Sequence, residues 1–393
     1  MTALVALVAV VALAAGGVVT YLYLRGGGGD TPAEAVTLLA ADLESENWAR
    51  AVSRLHPYEV ALGTDLGEVV YDELVRLEVL RADADRTAAL TGTTFANLRF
   101  DDAAVENVRP NVAITKLVGG TITINQDVDA APLTDTYKAR AYPNGVPPAR
   151  SEVIDVGRVV AEQGRPIRVA TVQVDGAWYA SATYSLADYA LIAGGEAWPQ
   201  DTVAPRGATT AQDALRESLS AVFAQDARRL IELVPPRELA VLHDLGPLIV
   251  DNAGSSGSTG RLVDLAVREE EVPGGTALLI ERIVAEDNYG DSATIVRDGD
   301  CLTVTEEGSY GGPTRLCAED IAQQGVGSTS SLDPGMREIV VKSARAALNT
   351  KVVVVEDGGL YYLSPVRTAV GLGIDVLRTL EPADLARLAE QGR

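Results

Sequence analysis

A pattern that returns after 179 residues constrains this chain more than any other feature. Pro57, Glu59 and Asp65-Leu66-Gly67 are answered at that spacing by Pro236, Glu238 and Asp244-Leu245-Gly246. Upstream of each set lies an apolar stripe at helical period: Ala35, Val36, Leu39 and Leu43 in the first, Ala214, Leu215, Val222 and Phe223 in the second. Thr31-Pro32 opens one helix, with Thr as cap and Pro in the first turn, and Thr209-Thr210 opens the other. The copies also end alike. Residues 169–174 alternate as a strand before Asp175-Gly176 and Trp178-Tyr179; residues 351–356 precede Asp357-Gly358 and Leu360-Tyr361. Asp-Gly between apolar runs predicts a tight hairpin, because the primed turn needs positive φ. A short helix follows each hairpin, near 186–192 and 368–380. The ordered matches predict a duplicated domain. The competing reading is two unrelated α+β domains that share helix and hairpin grammar.

Within each copy the helices come first. In the first, Val69, Val70, Leu74, Leu77 and Leu80 lie at helical spacing, and strands follow near 93–100, 111–118, 121–125 and 153–160. In the second, a Gly/Ser-rich loop at 253–260 separates helices from strands near 261–267, 276–285, 293–297 and 301–305. Helices followed by strands give an α+β plan with helices on one face of a curved, mostly antiparallel sheet. The boundaries read 31–193 for the first domain, 194–208 for a Gly/Pro linker and 209–393 for the second domain.

Ahead of the repeat, Ala3 to Leu24 carries no charge. At about 1.5 Å per residue a helix of this length crosses the hydrocarbon core of a bilayer. Tyr21 and Tyr23 suit the outer interface, so residues 1–25 read as a transmembrane anchor and 26–30, with Gly26 to Gly29, as a flexible spacer. The alternative is a cleaved signal peptide ending at Ala12-Leu13-Ala14. The anchor reading puts the N-terminus inside a cell membrane crossed once and the folded part outside the cytoplasm.

Asp175-Gly176-Ala177-Trp178-Tyr179, closing a sheet that follows N-terminal helices, resembles the hairpin of the NTF2-like (cystatin-like) superfamily, in particular its tandem extracytoplasmic domains in bacterial single-pass membrane proteins. The second copy, Asp357-Gly358-Gly359-Leu360-Tyr361, departs from that pattern by losing the Trp. The resemblance implies a cone-shaped sheet with a pocket, used for binding, scaffolding or catalysis, so it does not settle function. Trp178, Tyr179 and Tyr361 are the candidate pocket residues.

Charge and chemistry narrow the function classes. The chain holds 33 Lys and Arg against 55 Asp and Glu, a net charge of -22. A nucleic-acid binder needs a basic face to displace phosphate counterions, and no basic patch is present, so nucleic acid is not expected as a partner. His56 and His243 are the two histidines and read as solvated; with them a zinc site lacks ligands, so no metal or cofactor is expected. Ser255, Ser256 and Ser258 lack the Gly-X-Ser-X-Gly frame of a nucleophile elbow. Asp65 and Asp244 read as helix caps, and Asp298-Gly299 as a hairpin turn rather than a calcium loop. No catalytic residue is assigned. Cys301 and Cys317 flank a Gly/Pro loop and are expected to form a disulfide outside the cytoplasm, two unpaired buried thiols being the alternative. The expected function is a membrane-tethered, non-catalytic interaction or ligand-binding module of the bacterial cell envelope. Its partner would be another envelope protein or a small ligand. The alternative is an NTF2-like enzyme or small-molecule carrier.

Overall fold

Thr31 starts the first unit: its backbone is extended and its hydroxyl accepts the Glu34 amide, so α1 (Pro32–Glu44) begins with a side-chain cap and a proline in the first turn. We describe the chain from a computed structural model, which covers residues 27–83, 92–254, 260–307, 312–325 and 333–391. It divides into two compact units, Met1–Gln200 and Asp201–Arg393. Each is α+β with an antiparallel sheet.

In the first unit α1 is followed by α2 (Trp48–Ser53), capped by Asn47, and α3 (Pro57–Arg76). Then come β1 (Thr93–Phe100), a 3-10 turn at Asp102–Ala104, β2 (Glu106–Arg109), β3 (Val112–Gln126), α4 (Asp135–Ala141), β4 (Arg150–Asp155), α5 (Val156–Gln163), β5 (Ile167–Val174), β6 (Ala177–Ser181) and α6 (Ala182–Gly194). The 15-residue β3 is the spine of the sheet. One of its edges takes β1 and β2; the other takes β4 along the far half, Thr121 opposite Asp155, and β5 along the near half, Val112 opposite Val172. The hairpin β5–β6 extends the sheet. Leu43 and Ala51 from the helices meet Phe95, Leu117, Ile122, Val156 and Ile167 to form the core beneath α1.

The second unit contains α7 (Ala211–Ala224), α8 (Ala227–Glu232), α9 (Ala240–Asp244), α10 (Gly246–Asn252), β7 (Gly260–Val272), β8 (Gly275–Asp287), β9 (Ser292–Asp298), β10 (Cys301–Glu306), β11 (Thr314–Cys317), α11 (Ala318–Gly325), α12 (Pro334–Leu348), β12 (Lys351–Asp357), β13 (Leu360–Leu363), α13 (Pro365–Thr379) and α14 (Pro382–Gln391). Here β8 is the spine. One edge takes β7; the other takes β9 along the far half and β12 along the near half, with β13 beyond. This is the pairing scheme of the first unit, with β10 and β11 added beside β9. Matched details accompany it. Thr31 and Thr210, and Asn47 and Asp226, stand 179 residues apart and cap α1, α7, α2 and α8. Beyond the closing hairpins the offset becomes 183: Ser181 and Ser364 cap α6 and α13, and the Ser185 and Thr368 hydroxyls each accept a strand amide at 2.9 Å.

Several expectations need correction. The single-pass membrane architecture does not stand: among the described residues no helix is long and apolar enough to cross a membrane. Residues 3–24, on which that expectation fell, lie outside the described residues, as do Ser255, Ser256 and Ser258. The glycines read as a flexible spacer are packed where they are described. Gly29 exchanges two hydrogen bonds of 2.8 Å with Trp178, and a Cβ on Gly27 would stand 1.9 Å from the Ser53 carbonyl oxygen. The stretch 194–208, read as a linker, makes contacts of its own. Trp198 is buried against Tyr184 in the first unit, and Val203 exchanges hydrogen bonds with His243 in the second. Asp65 lies inside α3, which runs unbroken through it, and Asp244 is the last residue of α9 instead of preceding a helix as its cap. The second hairpin turns at Gly358-Gly359, both with positive φ, one residue later than Asp357-Gly358. Two residues without Cβ enter the left-handed region at least cost. Tyr361 therefore matches Trp178: each bonds back to the segment before the first helix, Tyr361 to Ala208 and Trp178 to Gly29.

Candidate functional site

The helical stripe predicted for α1 faces inward, but it does not fill the space it faces. Val36, Leu39, Ala40 and Leu43, on successive turns, form one wall of a cavity of about 130 Å³ in the first unit. Phe95 and Phe100 of β1, Leu117 and Ile122 of β3, and Ile167 and Val169 of β5 line it from the sheet, and Leu55 and Ala180 line it as well. Ile167 and Val169 share a face by alternation, whereas Phe95 and Phe100, and Leu117 and Ile122, are five residues apart and share one because the β1–β3 register shifts between Ala96 and Phe100.

Two polar side chains reach this wall, Ser181 and Ser185, and both are committed elsewhere. The Ser181 hydroxyl donates to Glu59 at 2.5 Å and accepts the Tyr184 amide. The Ser185 hydroxyl donates to the Ser181 carbonyl at 2.5 Å and accepts the Ala170 amide at 2.9 Å. Glu59 stands behind this wall, also taking the Ala182 and Thr183 amides at 2.9 and 3.2 Å. A carboxylate at a helix N-terminus opposes the positive end of the helix dipole. The cavity thus presents carbon to a guest, with no acid, base or nucleophile free to act on it.

The space is partly open to solvent and apolar in its lining, so a guest that fills it removes carbon surface from water. Apolar sites of comparable volume admit small apolar guests. The second unit has a larger side chain at one key point: Ala40 is answered 179 residues on by Leu219, which packs into the core with Leu215, Leu265 and Leu278.

The first unit has two further buried polar groupings, and the second unit a buried histidine. Arg168 bonds Asp188 at 2.6 Å and Glu106 at 2.9 Å, and Lys116 also bonds Glu106. The bond to Asp188 raises the Arg168 pKa, and the bond from Lys116 lowers that of Glu106. Asp188 in turn accepts the Trp198 indole at 3.0 Å. Every member has a partner, and through Trp198 the grouping holds the segment after α6 to the sheet. His56 is 5% exposed, contrary to the solvated reading, and His243 is buried as well. His56 Nδ1 has no hydrogen-bond partner, and burial lowers its pKa, against the opposing pull of Glu59. Among the described residues no group of three or more His, Cys, Asp or Glu is placed to hold a metal ion.

The sequence-derived candidates fall apart from the cavity. Trp178 packs with Ala35 and Ala113, Tyr179 is buried, and neither lines it. Tyr361 packs on the core of the second unit. Cys301 and Cys317 are joined by a disulfide and stand opposite each other across β10 and β11, with Cα atoms 4.1 Å apart. Sequence reasoning missed Glu59 as the group behind the wall; its signal was its own repetition as Glu238. Comparison with known proteins gave no match: no family model, curated protein or solved structure aligns with this chain.

Proposed function

We propose that this chain is a non-catalytic binding protein built from two NTF2-like units, the first of which holds a small apolar molecule between α1 and the concave face of its sheet. The observation that carries this reading is the cavity wall: it is carbon apart from two hydroxyls that are already bonded within the fold. An enzyme needs an ionisable or nucleophilic group exposed to its substrate, and this wall offers none free. The Cys301–Cys317 disulfide supports placing the protein in an oxidising compartment of the cell envelope, since such bonds persist where thiols are not kept reduced.

The test is calorimetric titration of the full chain with benzene, a guest of the size such a cavity admits, in parallel with Ala40→Leu, which places the second unit's residue in the cavity. The expected result is saturable binding at one site per chain that Ala40→Leu abolishes while circular dichroism is unchanged. Absence of saturable binding, or equal binding by the folded variant, overturns the reading.

A further inference from the structure

β7 is a 13-residue strand at the edge of the second sheet. Among the described residues its strand pairing comes from β8 alone, and Arg216 of α7 adds a contact of 3.4 Å to the Leu265 carbonyl. A long edge of free N–H and C=O groups is a template for another strand. Proteins commonly protect such edges with charge or bulges, and this strand has both. One bulge falls between Leu262 and Asp264; at the other, between Ala266 and Val267, the extra residue is Glu281 of β8. The backbone of β7 from Asp264 to Arg268 is therefore regular.

The order of charges along that stretch decides what the edge accepts. Asp264, Ala266 and Arg268 alternate on one face, and Leu265 and Val267 pack inward. Laid antiparallel on a second copy with Ala266 on the two-fold axis, Asp264 of each copy meets Arg268 of the other. Leu265 meets Val267, which continues the apolar layer, and Arg261 falls against the run Glu269 to Glu271. Moving the register by one residue sets Asp264 against Glu269, and moving it the opposite way loses the Asp264–Arg268 match. Opposite charges directly across a strand pair stabilise it, and like charges destabilise it. The partners these side chains have within the chain leave them reachable: Asp264 is 3.0 Å from Arg282, and Arg268 is 3.8 Å from Glu281, with all four side chains about half exposed or more.

We propose that β7 joins two copies of this chain edge to edge, antiparallel about Ala266, making one continuous sheet from two second units. This interface does not depend on the cavity or on any ligand. Sedimentation equilibrium of the full chain, from micromolar to submillimolar concentration, tests it with three variants. The parent chain is expected to dimerise. Arg268→Glu is expected to weaken the dimer by about tenfold or more, through like-charge repulsion repeated by the two-fold. Ala266→Lys, which puts two ammonium groups on the axis, is expected to do the same. The exchange Asp264→Arg with Arg268→Asp, made together with Arg282→Asp and Glu281→Arg so that the ion pairs within the chain are kept, is expected to restore dimerisation, because it reverses the sense of every pair and keeps the complementarity. A parent chain that is monomeric throughout, or a dimer indifferent to both Arg268→Glu and Ala266→Lys, overturns the proposal. A dimer that the single change breaks and the exchange fails to rescue overturns the assigned register.

Discussion

Glu59 and Ser181 lie 122 residues apart in sequence and share a hydrogen bond of 2.5 Å that joins the start of α3 to the start of α6. Glu238 and Ser364 repeat it in the second unit, where Arg367 adds a charge-assisted bond to Glu238 at 2.5 Å. In each unit one carboxylate fixes where the helix after the closing hairpin begins. Glu59→Ala removes the acceptor for two amides and two hydroxyls at once. Hydrogen bonds to a charged group contribute about 1.5–3 kcal/mol, so the loss expected in urea unfolding is about 2–3 kcal/mol. Glu59→Gln, which keeps an acceptor oxygen, should lose less than half of that.

The two units also differ in a way that makes a natural comparison. Asp42 and Arg54 form a buried ion pair at 2.8 Å in the first unit; the residues 179 positions on are Ala221 and Leu233, both buried. Breaking a buried pair from one side leaves an uncompensated charge and costs about 3–5 kcal/mol, whereas replacing both partners by apolar groups is often neutral. Arg54→Leu alone is therefore expected to be severely destabilising. Asp42→Ala with Arg54→Leu should return to within about 1 kcal/mol of the parent, the remaining loss coming from the Gly27 carbonyl that Arg54 also serves. A double-mutant cycle on denaturant midpoints measures the coupling.

Ala40→Leu should raise stability as it closes the cavity. Filling an apolar void commonly adds about 0.5–2 kcal/mol when the new side chain fits. The α1 position already accepts leucine in the second unit as Leu219. Thermal unfolding checks the sign: a fall in the midpoint means the wall cannot take the added carbons and the space is not shaped as described.

What the sequence made legible was whatever depends on local grammar. Thr31, Thr210 and the Asp175-Gly176 turn act locally, and their roles are visible within a few residues. The outcome at Gly358-Gly359 was not, because Asp-Gly and Gly-Gly both satisfy a primed turn and the choice is set by register with β12. The candidate site was hidden for a further reason. Trp178 and Tyr179 drew notice as large aromatics, yet large side chains fill space; the cavity exists where Ala40, Ala180 and Ala182 leave it unfilled. A void is a property of packing among α1, β1, β3 and β5, which no single segment encodes.

Reduction of Cys301–Cys317 should weaken the second unit without unfolding it. The bond closes a loop between residues 16 apart, worth about 3 kcal/mol in the chain-entropy model. The core made by Leu215, Leu233, Leu265, Leu278 and Val354 does not include either cysteine. Urea unfolding with and without dithiothreitol should show a lower midpoint for the reduced protein and an unchanged far-ultraviolet spectrum in buffer. Loss of that spectrum on reduction alone would mean the bond holds the unit together.

His56 makes the first unit sensitive to mild acid. Its ring is buried at the N-terminus of α3, packed edge-on to Tyr58 at 5.6 Å, with Nδ1 unpartnered. Burial lowers its pKa from the usual 6.5, and the negative charge of Glu59 offsets only part of that effect. A helix N-terminus also disfavours a cation. In the unfolded chain the imidazole takes up a proton near pH 6.5, while in the folded chain it resists until lower pH. Between those values the unfolded state binds more protons, so stability rises with pH. The contribution is fully present above about pH 6.5 and is lost progressively as pH falls toward the lowered folded value. Glu106 acts in a different window. Its bond from Lys116 lowers its pKa below 4.5, so its stabilisation is lost only in stronger acid. His56→Phe keeps a buried aromatic ring and removes the titration. Urea midpoints measured from neutral pH down to about pH 5 should therefore fall for the parent and stay nearly level for the variant. Parallel slopes for the two proteins would assign the acid sensitivity to other groups.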